Sequence, residues 1–188
     1  MNKIILASSS PRRKQLLEWA EIPFEIVVKA TDETWPDSLP VEEVPVYIAR
    51  QKALAIADQV DPDAVIVAAD TIVVLGEWII GKPRDRADAI HILSALSGQQ
   101  HQVITGVVIR QGGKEMAFHD ATSVRFHQLT QSQIEFYIDK YKPYDKAGAY
   151  AIQEWIGVVG IHSVDGDFYN VMGLPVSRVV RGLEGFKF

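Results

Sequence analysis

The sequence predicts a mixed α/β fold, organised as one domain or as two lobes around a cleft. Three observations predict it. Ala64 to Ala69 is an unbroken apolar run of strand length, the pattern of a strand buried on both faces. His101 to Arg110 and Lys114 to Phe126 are longer strand-like stretches that meet at the turn signal Gln111-Gly112-Gly113. Segments with apolar residues at helical spacing fall between such runs, but without the strict alternation of repeated βαβ units, so the sheet should be mixed.

The elements follow in order. Ile4 to Ala7 reads as a buried strand, and Ser10 as an N-cap with Pro11 at the first helical position, opening a helix through Leu16, Leu17 and Trp19. Phe24 to Val28 reads as a strand, and Thr31 to Pro45, acidic and interrupted by prolines, as a solvated loop. Val46 to Val60 has the apolar stripe of a helix in Ala49, Ala53, Ile56 and Val60. After the strand Ala64 to Ala69, Ile72 to Leu75 and Trp78 to Ile80 flank Gly76-Glu77 as a hairpin. Arg86 to Leu96 is helical through Ile90, Leu93 and Leu96, with Gly98 as its stop. Thr130 caps a helix through Ile134, Tyr137 and Ile138. A strand near Gly157 to Val164 and a helix near Pro175 to Leu183 complete the chain.

Composition narrows the function classes. The 188 residues are 47% hydrophobic and 23% charged, with 24 acidic against 19 basic residues and a net charge of −5. A chain of this length buries roughly 70% of its unfolded surface and needs no staple to fold. The acidic balance argues against a nucleic-acid coat. Without cysteine, disulfides, thiolate nucleophiles and cysteine-ligated zinc are excluded. The apolar run after Met1 is too short for a signal peptide and none reaches membrane-span length, so the cytosol is the expected compartment and no membrane partner is expected. The five histidines have no metal-ligand spacing and read as structural or surface residues.

Four places could carry chemistry. In Ser8-Ser9-Ser10-Pro11-Arg12-Arg13, hydroxyls and two guanidiniums stand at a helix start, where backbone N–H groups and the dipole already attract anions. That is either a phosphate site or a cap followed by two exposed arginines; the glycine-rich Walker loop is absent. Asp70-Thr71 follows the buried run Ala64 to Ala69, so Asp70 reads as a base or metal ligand at a strand end, or as a turn cap. Asp32 and Glu33 offer further carboxylates from the acidic loop. Lys52 falls on the helical arc of Ile48, Ala49 and Ile56, so it snorkels at a rim or points into a cleft. Lys82 is bracketed by Gly81 and Pro83, and with Arg12, Arg13 and Lys52 it could neutralise a polyphosphate. In Asp145 to Gln153, small residues permit close approach of a backbone or a flat ligand, and the Gln153 amide could read a base edge.

From Lys3 to about Gly182 the chain resembles the Maf family of nucleoside triphosphate pyrophosphatases, once described as septum-formation inhibitors. The resemblance rests on the ordered set Ser8-Ser9-Ser10-Pro11-Arg12-Arg13, Asp32-Glu33-Thr34, Ala69-Asp70-Thr71, Gly81-Lys82-Pro83, Thr105-Gly106-Val107, Asp145-Lys146-Ala147-Gly148-Ala149-Tyr150 and Tyr169-Asn170-Val171. It implies an elongated mixed sheet flanked by helices with a central cleft, similar to inosine triphosphate pyrophosphatases, with 1–188 as a single domain. It implies hydrolysis of a nucleoside triphosphate to the monophosphate and pyrophosphate, assisted by a divalent cation, Mg²⁺ or Mn²⁺. Asp70 matches the proton acceptor. Ser9, Arg12, Arg13, Glu33, Lys52 and Lys82 match phosphate- and metal-site positions, with Glu33 and Asp70 as metal ligands. Arg12, Thr71 and Gln153 match the trio of the branch that prefers dTTP and UTP, although position 151 is Ala where that branch usually has glycine.

A non-catalytic, nucleotide-binding regulator of cell division or septum formation is the competing reading. The combination of acid, base and cations is more than ligand binding alone requires. A nucleic-acid binder using Arg12-Arg13-Lys14 is disfavoured because no long basic stripe or array of aromatics accompanies that patch. The expected partner is therefore a nucleoside triphosphate and not a nucleic acid, and a homodimer is the working expectation for assembly.

Overall fold

The structure, a computed structural model, describes residues 3–186. Seven strands form a mixed sheet in the order β2-β1-β3-β5-β6-β7, with β4 paired to β3. In chain order the elements are β1 (Ile4–Leu6), α1 (Pro11–Trp19), β2 (Glu25–Ile26), α2 (Val44–Ile56), β3 (Val65–Leu75), β4 (Trp78–Ile80), α3 (Arg86–Leu96), β5 (Gln100–Gln111), β6 (Lys114–Phe126), α4 (Gln131–Tyr141), α5 (Trp155–Gly160), β7 (Ile161–Asp165), α6 (Phe168–Met172) and α7 (Val176–Leu183). Strand β1 pairs in parallel with β2 and β3, whereas β3–β4 and β6–β7 are antiparallel. The chain divides into two compact units. One contains the residues through Thr71, Thr105–Asp120 and those from Gly173 onward; the other contains Ile72–Ile104 and Ala121–Met172. Among the described residues no helix is long and apolar enough to cross a membrane.

Several boundaries differ from the sequence reading. The loop over Thr31 to Pro45 ends early: Val41–Glu43 form a 3-10 turn and α2 begins at Val44, with Pro45 in its first turn, where a missing N–H costs nothing. Of the Phe24 to Val28 stretch, Glu25 and Ile26 form strand β2 beside β1, and the Val27 N–H still donates to Leu6 O at 3.3 Å. The stretch read as a strand from Gly157 is helix α5 up to Gly160, and the strand begins at Ile161. The runs on either side of Asp70-Thr71 are one continuous strand, β3.

In the first unit, α2 packs on one face of β1 and β3. Ala49, Ala53 and Ile56 meet Ile5, Ala7, Ala64, Ile66 and Ala68, and Val108 of β5 joins them. Ala64, just before β3, and Ile66 and Ala68 within it are separated by two, as a pleated strand requires of one face. The alanines bring helix and sheet backbones close. Closest of all is Gly106 on β5, where a Cβ would stand 2.1 Å from the backbone N of Val46 and 2.3 Å from the carbonyl carbon of Pro45.

In the second unit, α3 and α4 lie together, joined by Arg86, whose Nε and Nη2 donate to the Asp139 carboxylate at 2.7 and 2.9 Å. Helix α4 starts with a full capping box: Thr130 Oγ1 accepts from the Gln133 N–H, and the Gln133 side chain accepts from the Thr130 N–H. His101, Phe126 and Tyr150 form a buried aromatic cluster, with His101 Nε2 and the Tyr150 hydroxyl 2.7 Å apart. Burial lowers the His101 imidazole to about 4, so it is neutral at pH 7. Asn170, fully buried, donates to Val103 O and Thr122 Oγ1. The small residues after Asp145 serve close packing. A Cβ on Gly148 would lie 2.8 Å from a Val73 methyl, and its N–H donates to Gly81 O at 3.1 Å.

Gly106→Ala tests the backbone contact in the first unit. Backbone cannot rotate away as a side chain can, so overpacking here should cost about 3 kcal/mol or more. Differential scanning calorimetry should show the thermal midpoint lowered by roughly 6–12 °C; an unchanged midpoint would mean that α2 and β5 do not meet at Gly106.

Candidate active site

Strand β3 distributes the central residues of the site. Ala64, Ile66 and Ala68 face α2, and two residues further along the same face stands Asp70. On α2, Lys52 precedes Ala53 and lies one turn beyond Ala49, so its side chain leaves the helix beside the apolar seam. The two meet: Lys52 Nζ is 2.6 Å from Asp70 Oδ1 and 2.9 Å from Glu33 Oε1. The Lys52 and Asp70 side chains are 17% and 13% exposed, so their attraction is less screened than that of a surface pair. Asp70 is therefore not at the end of a strand, as the apolar run suggested, but in the middle of an 11-residue one. A carboxylate there is tolerated because a cation covers it.

The next residue, Thr71, points to the opposite face and meets Arg13 of α1. Arg13 is buried, and its guanidinium donates through Nε to Gly173 O at 2.7 Å, through Nη1 to Ser8 Oγ at 3.1 Å and through Nη2 to Thr71 Oγ1 at 2.9 Å. Thr71 Oγ1 is in turn 2.9 Å from Oγ1 of the fully buried Thr105. Every acceptor in this set is a neutral oxygen. Burial pulls the guanidinium below its ordinary range, and the charge of Asp70 partly offsets that effect. A guanidinium has five N–H donors, and these bonds use three of them. Arg13 is not one of two exposed arginines; it is a fixed, buried positive charge with donors to spare.

The turn before α1 supports the same end of the site. Ser10 is the N-cap by position but makes no side-chain cap bond; instead its N–H donates to Ser8 Oγ at 3.3 Å. No acidic residue lies in the first turn of α1, which holds Pro11, Arg12 and Arg13. Ser9 is exposed and Arg12 half-buried.

Lys82 and Gln153 belong to the second unit. Lys82 is exposed just after β4, in a segment anchored by the Gly148 N–H on Gly81 O. Gln153 is exposed within a turn closed by the Glu154 N–H on Ala151 O at 3.1 Å. The structure thus brings Ser8, Arg13, Glu33, Lys52, Asp70 and Thr71 into one connected cluster in the first unit. Thr105 and the Gly173 carbonyl also belong to that cluster, and the sequence pattern alone points to neither. The motif Thr105-Gly106-Val107 was visible, whereas a backbone carbonyl leaves no mark in a sequence. Among the described residues, no group of three or more His, Asp or Glu could hold a metal ion. Asp70 and Glu33 do converge, on the Lys52 ammonium.

A family model described as Maf-like protein matches residues 3–186. A protein of Parabacteroides distasonis named dTTP/UTP pyrophosphatase is 48% identical over 185 residues, covering 98% of this chain and 96% of that one. A protein of the same name from Cytophaga hutchinsonii is 51% identical over 181 residues, covering 96% and 83%. Among solved structures, the Ham1 protein of Staphylococcus aureus superposes with a TM-score of 0.54 at 15% identity, over 98% of this chain and 99% of its own. That likeness shows the fold, a mixed sheet with flanking helices.

The Arg13 network should not survive a change of cation. In Arg13→Lys, a compact ammonium cannot reach Gly173 O, Ser8 Oγ and Thr71 Oγ1 together. The loss should be about 3 kcal/mol, since hydrogen bonds from charged donors are worth roughly 1.5–3 kcal/mol each. Urea denaturation at pH 7 measures it, and an unchanged midpoint would show that the three bonds contribute nothing.

Proposed function

The chain belongs to the Maf-like protein family, and from that premise we propose that it is a nucleoside triphosphate pyrophosphatase hydrolysing dTTP and UTP to the monophosphate and pyrophosphate, with 1–188 acting as one domain. Relatives of that name, matching nearly the whole chain, support the substrate pair. The observation in the molecule that supports the chemistry best is the half-dry Lys52–Asp70 pair within electrostatic reach of a buried, anion-ready Arg13.

Water attacks the α-phosphorus; its oxygen bonds to phosphorus as the bond to the β-phosphate oxygen breaks, and negative charge grows on the phosphoryl oxygens and on the departing pyrophosphate. Asp70 takes the proton of the attacking water. Lys52, by donating to Asp70 Oδ1, fixes the orientation of that carboxylate. The remaining Arg13 donors, with Arg12 and Ser9 at the start of α1, receive phosphate oxygens, and Lys82 supplies further positive charge. Arg13 and the Lys52–Asp70 pair are held before the substrate arrives, which limits the reorganisation needed as charge develops.

The donor set fits a divalent cation, Mg²⁺ or Mn²⁺. Asp70 and Glu33 already converge on one positive charge, and Mg²⁺ is commonly held by one or two carboxylates together with substrate phosphates. Bound there, the cation would neutralise phosphate charge and polarise the reacting phosphoryl group. The base is read by Gln153, whose amide offers both the donors and the acceptor that thymine and uracil require. Thr71, engaged with Arg13 and Thr105, contributes by holding Arg13. Arg12 can donate to a base carbonyl or a phosphate.

Incubation of the protein with dTTP and Mg²⁺ should release dTMP and pyrophosphate in equal amounts. Appearance of dTDP and orthophosphate as primary products overturns the proposal. Asp70→Asn should lower turnover by ~10²–10⁴-fold, the usual cost of removing a general base, and circular dichroism should show the fold retained. Near-native turnover in that variant would assign Asp70 to structure alone.

A further inference from the structure

Both ends of the turn that bears Gln153 are tied to one buried phenol, and from this we propose that Tyr137 and Glu154 are the positioning pair that aims Gln153 and so sets the choice of base. The inference rests on the base-reading role proposed for Gln153. The turn runs from Ala151 to Glu154, with Ile152 and Gln153 at its centre. Tyr137, on α4, is fully buried. Its oxygen accepts from the Ala151 N–H at 3.1 Å, and its hydroxyl donates to Glu154 Oε2. One hydroxyl thus holds the first and last residues of the turn, using both its donor and an acceptor lone pair.

The frame around that hydroxyl is itself fixed. The Tyr141 ring stacks on Tyr137 at 5.1 Å. Glu154 Oε1 lies 3.8 Å from Nζ of the buried Lys146, which also reaches Asp145 at 2.8 Å. On the other side, Glu154 O accepts from the Gly157 and Val158 N–H groups at the start of α5. Helix α5 also lies directly against the turn: a Cβ on Gly157 would fall 1.6 Å from Ile152 O. Gln153, in contrast, is exposed. Apolar packing would hold a turn just as stably as a half-buried carboxylate with its lysine and phenol, because removing such charges from water is costly. What the polar frame supplies is direction, since hydrogen bonds fix angles and apolar contacts do not. A reader of an edge with two acceptors around one donor needs that direction, because a misaimed amide accepts cytosine's edge as readily as uracil's.

The test is the ratio of kcat/KM for UTP to that for CTP, measured in parallel with the thermal midpoint. Tyr137→Phe should lower the ratio about tenfold, with the effect on UTP greater than on CTP. Glu154→Ala, which opens the same clamp from its other end and does not disturb α4, should lower it similarly. Glu154→Gln, which keeps an acceptor oxygen, should restore most of it. Ile138→Val, a cavity next to Tyr137 that leaves the clamp intact, should lower the midpoint and leave the ratio native. A native ratio in Tyr137→Phe and Glu154→Ala, while Gln153→Glu lowers it, overturns the positioning role and leaves the base-reading role standing. A native ratio in Gln153→Glu removes the base-reading role, and this inference with it.

Discussion

The two-residue period of β3 is the constraint on which the site in the first unit depends. Adjacent side chains of a pleated strand point to opposite faces, so Asp70 and Thr71 cannot share a neighbour on one face. Asp70 continues the face of Ala64, Ile66 and Ala68 and meets Lys52 of α2; Thr71 meets Arg13 of α1. One strand therefore separates the proposed proton acceptor from the proposed phosphate-binding cation while holding each in place through a different helix. The apolar residues that precede them fix the register, because a slip of one position would expose the whole buried set.

The two cations are treated differently. Lys52 is paired with carboxylates, Asp70 and Glu33. Arg13 has only neutral oxygens within hydrogen-bonding distance: a carbonyl and two hydroxyls. A guanidinium suits that role because it spreads its charge over a planar fork and is more weakly hydrated than an ammonium, which makes its burial less costly. The result is positive charge that is oriented but not neutralised by an adjacent partner.

Much of this was legible in the sequence because it depends on local period. Lys52 stood on the apolar arc of α2, which marked it as a cation off the polar face, and Thr130 marked the start of α4. The buried run Ala64 to Ala69 identified β3, but its sudden polarity at Asp70-Thr71 suggested an end where the strand in fact continues. Backbone pairing does not depend on side-chain polarity, and the cation that compensates Asp70 is 18 residues away in sequence. Ile156, Val158 and Val159 look like strand residues, yet tertiary packing of Gly157 against Ile152 selects the helix α5. Tyr137 was legible only as part of an apolar stripe. Its hydroxyl bond to Glu154 spans 17 residues and leaves no periodic trace.

The phosphate-binding role proposed for Arg13 would also link occupancy to lifetime. Any anion that settles against its remaining donors relieves part of the cost of burying that charge, and it binds the folded chain only. By mass action, such a ligand at a hundred times its dissociation constant adds about 2.7 kcal/mol to folding stability. Resistance to unfolding, and hence to proteolysis of the opened chain, should therefore rise and fall with the supply of polyphosphate, including the pyrophosphate that the proposed reaction itself releases.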